Sequence, residues 1–287
     1  MKALGSAALV VLLLALAACA DAPGEPGDGG SIDHGTDRDD LLVRIGFEGG
    51  FTPIEWTYTN LPTFSLYGDG TLIVPGAQIE IYPPPALPAI SARTIDEPGI
   101  QAILDEALTA TSHVPDDLDD LGAMGIADAP TTVITVSADG VNRTVRAYAL
   151  GELMERPEGM PERQYRARLR LQELVARLGT LDAWLPAGSL GPEATYRGSS
   201  ARIFVAEYRA IDDPPQEAVA WPLERDLASF GEPADASDLY RCATVDGEDW
   251  NAVRAVAARA NQLTRWQDGE LEFRVLFRPL LPGESGC

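Results

Sequence analysis

The sequence predicts an α+β fold in which antiparallel hairpins and packed helices form two sequential domains. The pairs Asp69-Gly70 and Asp139-Gly140 each lie between two alternating apolar runs. An Asp-Gly pair in that position is typical of a tight hairpin, because the central residues of the turn adopt positive φ. Apolar residues recur at helical spacing over 98–112 and 161–178, which predicts two amphipathic helices.

The first domain is predicted to cover residues 41–185. It begins with a strand at Leu41–Ile45 and continues through the Asp69-Gly70 hairpin to a short strand at Gln78–Tyr82, which the following prolines end. The Asp139-Gly140 hairpin comes next, and Gly179 is placed to cap the helix that closes the domain. Five arginines make this last helix basic, and an acidic protein accommodates such a helix without a partner: Arg163, Arg166, Arg168, Arg170 and Arg177.

A stretch rich in Pro, Gly and Ser at 186–200 predicts a boundary, and the second domain is predicted to cover 195–287. Strands are predicted at Ala201–Ala210, Leu239–Val245 and Leu271–Phe277, the last from strict alternation of apolar and charged residues. Asp246 is a candidate N-cap for a helix that reaches Leu263.

The first residues of the chain have the layout of a secretory signal. Lys2 precedes the uncharged run Ala3–Ala18, and small residues at Ala17 and Ala18 stand directly before Cys19. We therefore expect residues 1–18 to be a signal peptide; a signal peptide cut elsewhere and an uncleaved membrane helix are the alternatives. Residues 19–40 hold mostly Gly, Pro and Asp and predict a flexible acidic tether in which His34 is solvated.

The charge balance limits the partners. The chain has a formal net charge of −22, with 44 acidic and 22 basic residues. Nucleic-acid binding is not expected, since its electrostatic footprint is basic. An electrostatic attraction to anionic lipid is excluded on the same ground, so membrane attachment would depend on a lipid anchor.

The acidic loop at 116–128 has two interpretations, a calcium site or a solvated loop, and its spacing differs from that of an EF-hand. Five aspartates supply its carboxylates: Asp116, Asp117, Asp119, Asp120 and Asp128.

The chain has three cysteines, Cys19, Cys242 and Cys287. If Cys19 carries lipid, one pair remains, and an oxidising compartment would allow Cys242 and Cys287 to form a disulfide. Two free buried thiols are the alternative. Because Cys287 follows a polar Pro-Gly-Glu-Ser-Gly segment, we expect the disulfide.

No catalytic or cofactor motif is found in the sequence. It lacks a His-Glu-x-x-His motif, a Gly-x-Ser-x-Gly elbow, a Walker loop and a dinucleotide fingerprint, so no cofactor and no catalytic residue are predicted. His113 is a candidate base, although a surface position at a helix end explains it equally. Carboxylate pairs are too numerous in so acidic a chain to identify a hydrolase site.

Leu16-Ala17-Ala18-Cys19 resembles the bacterial lipobox, which implies diacylglycerol on the Cys19 thiol and cleavage before it. Together with Leu61–Pro83, Arg241–Trp250 and Phe277–Cys287, it is similar to an uncharacterised family of exported lipoproteins from high-GC Gram-positive bacteria. That resemblance implies a lipid-anchored protein on the extracytoplasmic face of the cell membrane and supports the Cys242–Cys287 disulfide.

Gly49-Gly50-Phe51, followed by hairpins and a helix, resembles the small emfourin-type metallopeptidase inhibitors. We therefore expect a membrane-tethered, non-enzymatic protein that binds an extracytoplasmic protein or wall partner. A metallopeptidase inhibitor of the emfourin type and a carboxylate-based hydrolase are the alternatives.

Overall fold

Strand pairing organises the chain into two β-sheets, in the computed structural model that describes residues 30–210 and 214–287. The first sheet is eight-stranded, in the order β5-β7-β6-β1-β2-β3-β4-β8, and the second is six-stranded, in the order β10-β13-β14-β9-β12-β11. The strands of the first sheet are β1 (Leu41–Glu48), β2 (Phe64–Tyr67), β3 (Thr71–Pro75), β4 (Ile90–Thr94), β5 (Asp117–Leu118), β6 (Thr131–Ala138), β7 (Val141–Tyr148) and β8 (Ala194–Thr195). Those of the second are β9 (Ser200–Glu207), β10 (Ala218–Ala220), β11 (Glu232–Pro233), β12 (Arg241–Asp246), β13 (Arg265–Asp268) and β14 (Leu271–Pro279).

The α-helices of the described chain pack against the two sheets, and all but the short first one lie on the outer faces. They are α1 (Ile54–Thr59), α2 (Glu97–Thr111), α3 (Glu162–Leu178) and α4 (Gly247–Ala257). Helices α2 and α3 bury their apolar stripes, including Ile103 and Leu171, against β1, β6 and β7. Helix α4 buries Trp250 and Val253 against β9 and β14. Helices packed on largely antiparallel sheets confirm the α+β class.

The faces of the two sheets that lie towards each other are joined by two smaller hydrophobic clusters. Leu281 packs with Tyr67 and Ile73, and Phe204 stacks on Tyr58 of α1 with ring centroids 4.7 Å apart. Residues Ile32–Cys287 form one compact unit. The division at 186–200 into two domains stays a prediction; β8, from that stretch, pairs with β4.

Both predicted hairpins are confirmed. Asp139 and Gly140 have φ of 51° and 69°, so both central residues of the β6–β7 turn are left-handed. In the β2–β3 turn only Gly70 is left-handed, with φ of 81°, and the Asp69 carboxylate accepts a hydrogen bond from Thr71 N at 2.9 Å. An Asp-Gly pair therefore marks two different turns in this chain.

Two predictions about local structure are wrong. Gln78–Tyr82 is not a strand, because β3 and β8 already occupy both edges of β4 and the following prolines lack N–H donors. The helix after Asp246 ends at Ala257, before the turns that lead to β13. One of the five arginines of the basic helix, Arg168, is buried.

The predicted signal peptide at 1–18 and Cys19 lie outside the described residues. The predicted tether, however, extends too far, because residues 32–40 pack against the body. Gln101 Oε1 accepts a hydrogen bond from Ile32 N at 2.7 Å, and Gln101 Nε2 donates to Ile32 O at 2.9 Å. Asp139 N donates to Asp33 O at 2.6 Å. His34 is 5% exposed and its Nε2 lies 3.1 Å from Glu97 Oε1. The sequence missed this because the partners are about 60 to 100 residues away, and Gly-rich composition alone predicts a coil.

Candidate functional site

The first sheet has two ends of opposite character. The entry end comprises the β2–β3 and β6–β7 turns, against which residues 32–40 pack. The far end comprises the loops that leave β1, β3 and β7 and enter β6: residues 49–53, 76–83, 121–130 and 149–160. Because β1 has eight residues, the two ends lie about 25 Å apart.

Exposed apolar side chains concentrate at the far end. Of the eleven large apolar side chains that are exposed in the described chain, six are on these loops. Phe51 and Met154 are each 88% exposed, and Ile79, Ile81 and Tyr82 are all more than half exposed; Met124 is the sixth. Single exposed apolar residues are ordinary, but a concentration of them marks a surface for interaction.

The backbone at the far end is held in left-handed conformations. Gly49 and Gly50 precede Phe51 with φ of 67° and 85°, and the non-glycine residues Asp128 and Ala149 have φ of 61° and 51°. Phe51 N donates to Asp128 O at 3.0 Å, and Ala149 N donates to Pro130 O at 3.0 Å. Left-handed non-glycine residues cost free energy and persist where the surroundings fix them, which is common at functional sites.

Arg168 fixes the same loops from below. It is 1% exposed; its Nη1 donates to Tyr148 O at 2.8 Å and its Nη2 donates to Leu118 O, so the guanidinium ties α3 to the ends of β7 and β5. Burial lowers the pKa of Arg168, and the nearby Asp119 and Asp120 act in the opposite direction. The basic character of the helix gave no sign that this arginine is buried. Its spacing from the buried Leu171 and Leu174 was the available signal.

Two clefts adjoin the second sheet. The larger, about 530 Å³, is lined by the ends of β9, β12 and β14 and by Glu55 of α1. In this cleft the Glu55 carboxylate accepts one hydrogen bond from Tyr240 Oη at 3.2 Å. It also forms an ion pair with Arg274 Nη1 at 2.9 Å. Burial raises the pKa of Tyr240 to about 12, although Arg274 opposes that shift. The smaller cleft, about 470 Å³, lies between the two sheets.

The carboxyl groups of the described chain whose pKa is clearly shifted do not match the general acid of a glycosidase. In the described chain, each carboxyl group with a clear pKa shift is shifted downwards: Glu97, Glu162, Asp235, Glu272 and Glu284. A general acid at neutral pH needs a raised pKa instead.

The residues singled out from the sequence are widely separated. Asp116 pairs with Arg143 at 3.0 Å, and the Asp120 side chain accepts Gly122 N at 2.8 Å within its own loop. His113 is exposed, with φ of 57°, at the end of α2. Over residues 30–210 and 214–287, no group of three or more His, Cys, Asp or Glu side chains is arranged to hold a metal ion.

Cys242 and Cys287 form the predicted disulfide, with Cα atoms 6.0 Å apart. It fastens the last residues of the chain to β12, while Glu284 in the same segment accepts two hydrogen bonds from Arg278 at 2.6 and 3.0 Å. Burial raises the pKa of Glu284, but Arg278, Leu281 N and Arg44 lower it by more.

No helix among the described residues is long and apolar enough to cross a membrane. Neither protein-family models, curated proteins nor solved structures yield a match to this chain.

Proposed function

We propose that the protein is an exported lipoprotein, anchored through Cys19 on the extracytoplasmic face of the cell membrane, that binds a protein or wall partner without catalysis. The observation that carries the binding role is the far end, where six exposed apolar side chains lie on loops, and left-handed residues fix the backbone beside Phe51. Aromatic and Met side chains of this kind are enriched in the cores of protein interfaces.

The position of the chain entry supports the same proposal. Ile32 is held at the entry end by Gln101, so the chain that leads from Cys19 joins the body about 25 Å from the far end of the sheet. A carboxylate-based hydrolase has less support, because Glu55 is paired with Arg274 and Glu284 with Arg278. Ion pairs of this kind stabilise the charged carboxylate and oppose its use as an acid.

The second candidate function is inhibition of a secreted metallopeptidase. It is favoured by Phe51, which is 88% exposed at the tip of a loop whose backbone Asp128 fixes. A preorganised loop reduces the entropy lost on binding and suits an inhibitor. The resemblance of Gly49-Gly50-Phe51 to emfourin-type inhibitors points to the same loop.

The anchor is tested by Cys19→Ser in the producing cell. We expect the variant to leave the detergent phase or to remain unprocessed, whereas Ala20→Ser, which keeps the thiol, partitions as the wild type does. Mass spectrometry of the mature N-terminus measures the lipid directly. An unmodified Cys19 in the wild-type protein would contradict the anchor.

The inhibitor role is tested with the full mature chain against purified secreted metallopeptidases. We expect inhibition that Phe51→Ser weakens by about tenfold or more, since a buried aromatic anchor contributes about 2 kcal/mol or more to an interface. Val141→Ser is the matched control, because Val141 is an exposed apolar residue at the entry end. Peptidases left fully active by the wild-type chain would remove this candidate, and hydrolysis abolished by a single carboxylate substitution would overturn the binding role.

A further inference from the structure

The smaller cleft is a second candidate site, next to the start of the loop that follows β1. It lies between the two sheets, with β1 and β6 on one side and β9 and β14 on the other, and α1 along its margin. Its volume of about 470 Å³ is in the range of small-molecule sites, about 300–1,000 Å³.

Three guanidinium groups from three strands line this cleft: Arg44 of β1, Arg202 of β9 and Arg278 of β14. One carboxylate, Glu284, lies among them; Arg278 binds it through both terminal nitrogens, and Arg44 Nη1 is 3.5 Å away. Glu48, at the margin, is 55% exposed and pairs with Arg146 at 2.6 Å. Around Glu284 the guanidinium groups therefore outnumber the carboxylate side chains, inside a protein with a net charge of −22.

Arg202 lacks a carboxylate partner among the described residues. Its Nε donates to Gly286 O at 2.6 Å and its Nη2 to Ser285 O at 3.3 Å, both neutral acceptors on the segment that the disulfide fastens. Burial and the neighbouring Arg278 lower the pKa of Arg202. A guanidinium group that is shielded from water is stabilised by a bound anion. Its planar set of N–H donors also fits the geometry of an oxyanion.

The remaining wall of the cleft is aromatic. Phe47, Trp56 and Tyr58 line it, and all three are half-buried. We propose that the cleft binds a small phosphate ester, its phosphate among Arg44, Arg202 and Arg278 and its organic group against these rings. A phosphate offers acceptors in several directions, which suits donors that approach from both sheets.

The experiment is calorimetric titration of the full mature protein, disulfide intact, with inorganic phosphate and with phenyl phosphate against sodium chloride at matched ionic strength. We expect both phosphates to bind where chloride does not, and phenyl phosphate to bind more tightly because the rings bury its apolar group. Arg202→Gln should weaken phosphate binding about tenfold or more, since hydrogen bonds to charged groups contribute about 1.5–3 kcal/mol. Arg166→Gln is the control, because Arg166 is exposed on α3.

Three results would overturn the proposal. Phosphate that binds no better than chloride removes the anion site, and that result needs no variant. Equal affinity for the two phosphates removes the assigned ligand class. Unchanged binding by a folded Arg202→Gln protein, or by Arg202→Ala if the first variant does not fold, shows that Arg202 does not hold the anion. None of these results bears on Phe51, so the far-end proposal stands or falls separately.

Discussion

The entry end and the far end of the first sheet show how one scaffold separates stability from recognition. At the entry end, glycines let backbone segments approach closely, and Gln101, Asp139 and Glu97 hold residues 32–40. At the far end the backbone is equally well fixed, but the large side chains face solvent. The difference supports the proposal that the far end, rather than the entry end, contacts another molecule.

The largest expected change in the free energy of unfolding comes from a substitution in the second sheet. The same variant tests whether the far end of the first sheet depends on the second sheet. Cys242→Ser should lower the free energy of unfolding by about 4 kcal/mol, because the disulfide spans a sequence separation of 45. Denaturant unfolding with and without reductant measures the loss. Hydrogen exchange in the loop that carries Phe51 should not change in the native variant. Faster exchange there would show that the far end depends on the disulfide.

Replacing one glycine at each end by alanine compares the stability contributions of the two ends directly. In Gly70→Ala the new Cβ would overlap the Ile95 carbonyl oxygen at a position with φ of 81°, so we expect a loss of about 3 kcal/mol. Gly49→Ala is the far-end counterpart, with φ of 67° and open space around the Cβ, and should cost about 1 kcal/mol. Denaturant unfolding measures both, and equal losses would show that the backbone around Gly49 is packed as closely as that around Gly70.

A smaller effect is expected from pH at the entry end. Burial lowers the pKa of His34, but the Gly35 carbonyl and Glu97 raise it by more, to above its usual 6.5. The resulting stabilisation is complete below pH 6.5 and is lost as the pH rises through the raised value. Burial raises the pKa of Glu97, but Gln101 and His34 lower it by more, to below its usual 4.5; that contribution is lost as the pH falls through the lowered value.

Residues 32–40 should therefore be best protected from hydrogen exchange, after correction for intrinsic rates, between pH 4.5 and 6.5. His34→Gln should remove the loss of protection above pH 6.5, whereas His113→Gln should leave it. A protection profile that is flat across this range in the wild type would show that His34 does not hold the segment.

The smallest effect on stability is expected at Phe51. Phe51→Ser should change the free energy of unfolding by less than about 0.5 kcal/mol, since the side chain makes little contact with the body. Thermal and denaturant unfolding measure it, with Leu66→Ala in the buried core as the contrasting variant. A loss above 1.5 kcal/mol would show that Phe51 supports the fold and is not simply presented on it.

Local pattern predicted the elements whose partners are close in sequence. The two hairpins and the helices α2 and α3 follow from turn residues and helical spacing within about 20 residues. The three-residue strand β10 was missed because it pairs in parallel with β13, more than 40 residues later, and has no alternating pattern of its own. The disulfide was predicted from the two cysteines that remain if Cys19 carries lipid, from an oxidising compartment and from the polar segment before Cys287.

The candidate sites were less accessible to sequence reasoning. Arg44, Arg202 and Arg278 are separated by more than 75 residues from one another, and only the packing of the two sheets brings them together. The available signal for this site was the presence of an arginine, at positions such as 202 and 278, within strands whose neighbouring apolar residues are buried. The Gly49-Gly50-Phe51 segment drew attention to one far-end loop. Nothing in the sequence predicts the left-handed conformation of Ala149.

A fragment that ends at residue 150 is not a suitable test of the far end. Such a fragment lacks α3, whose Leu171 and Leu174 are fully buried in the core of the first sheet and whose Arg168 holds the far-end loops. Exposing these surfaces would cost several kcal/mol, which is a large part of the stability of a domain. Binding is therefore measured on the full chain.

The central claim, that the far end contacts a protein partner outside the membrane, is tested most directly by site-specific photo-crosslinking in intact producing cells. A photoreactive residue replaces Phe51 in one variant of the full chain and Val141, exposed at the entry end, in another. The account predicts a discrete protein adduct from position 51, absent from position 141, on the Cys19-lipidated form. The same adducts from both positions, or an adduct from position 141 alone, would contradict it.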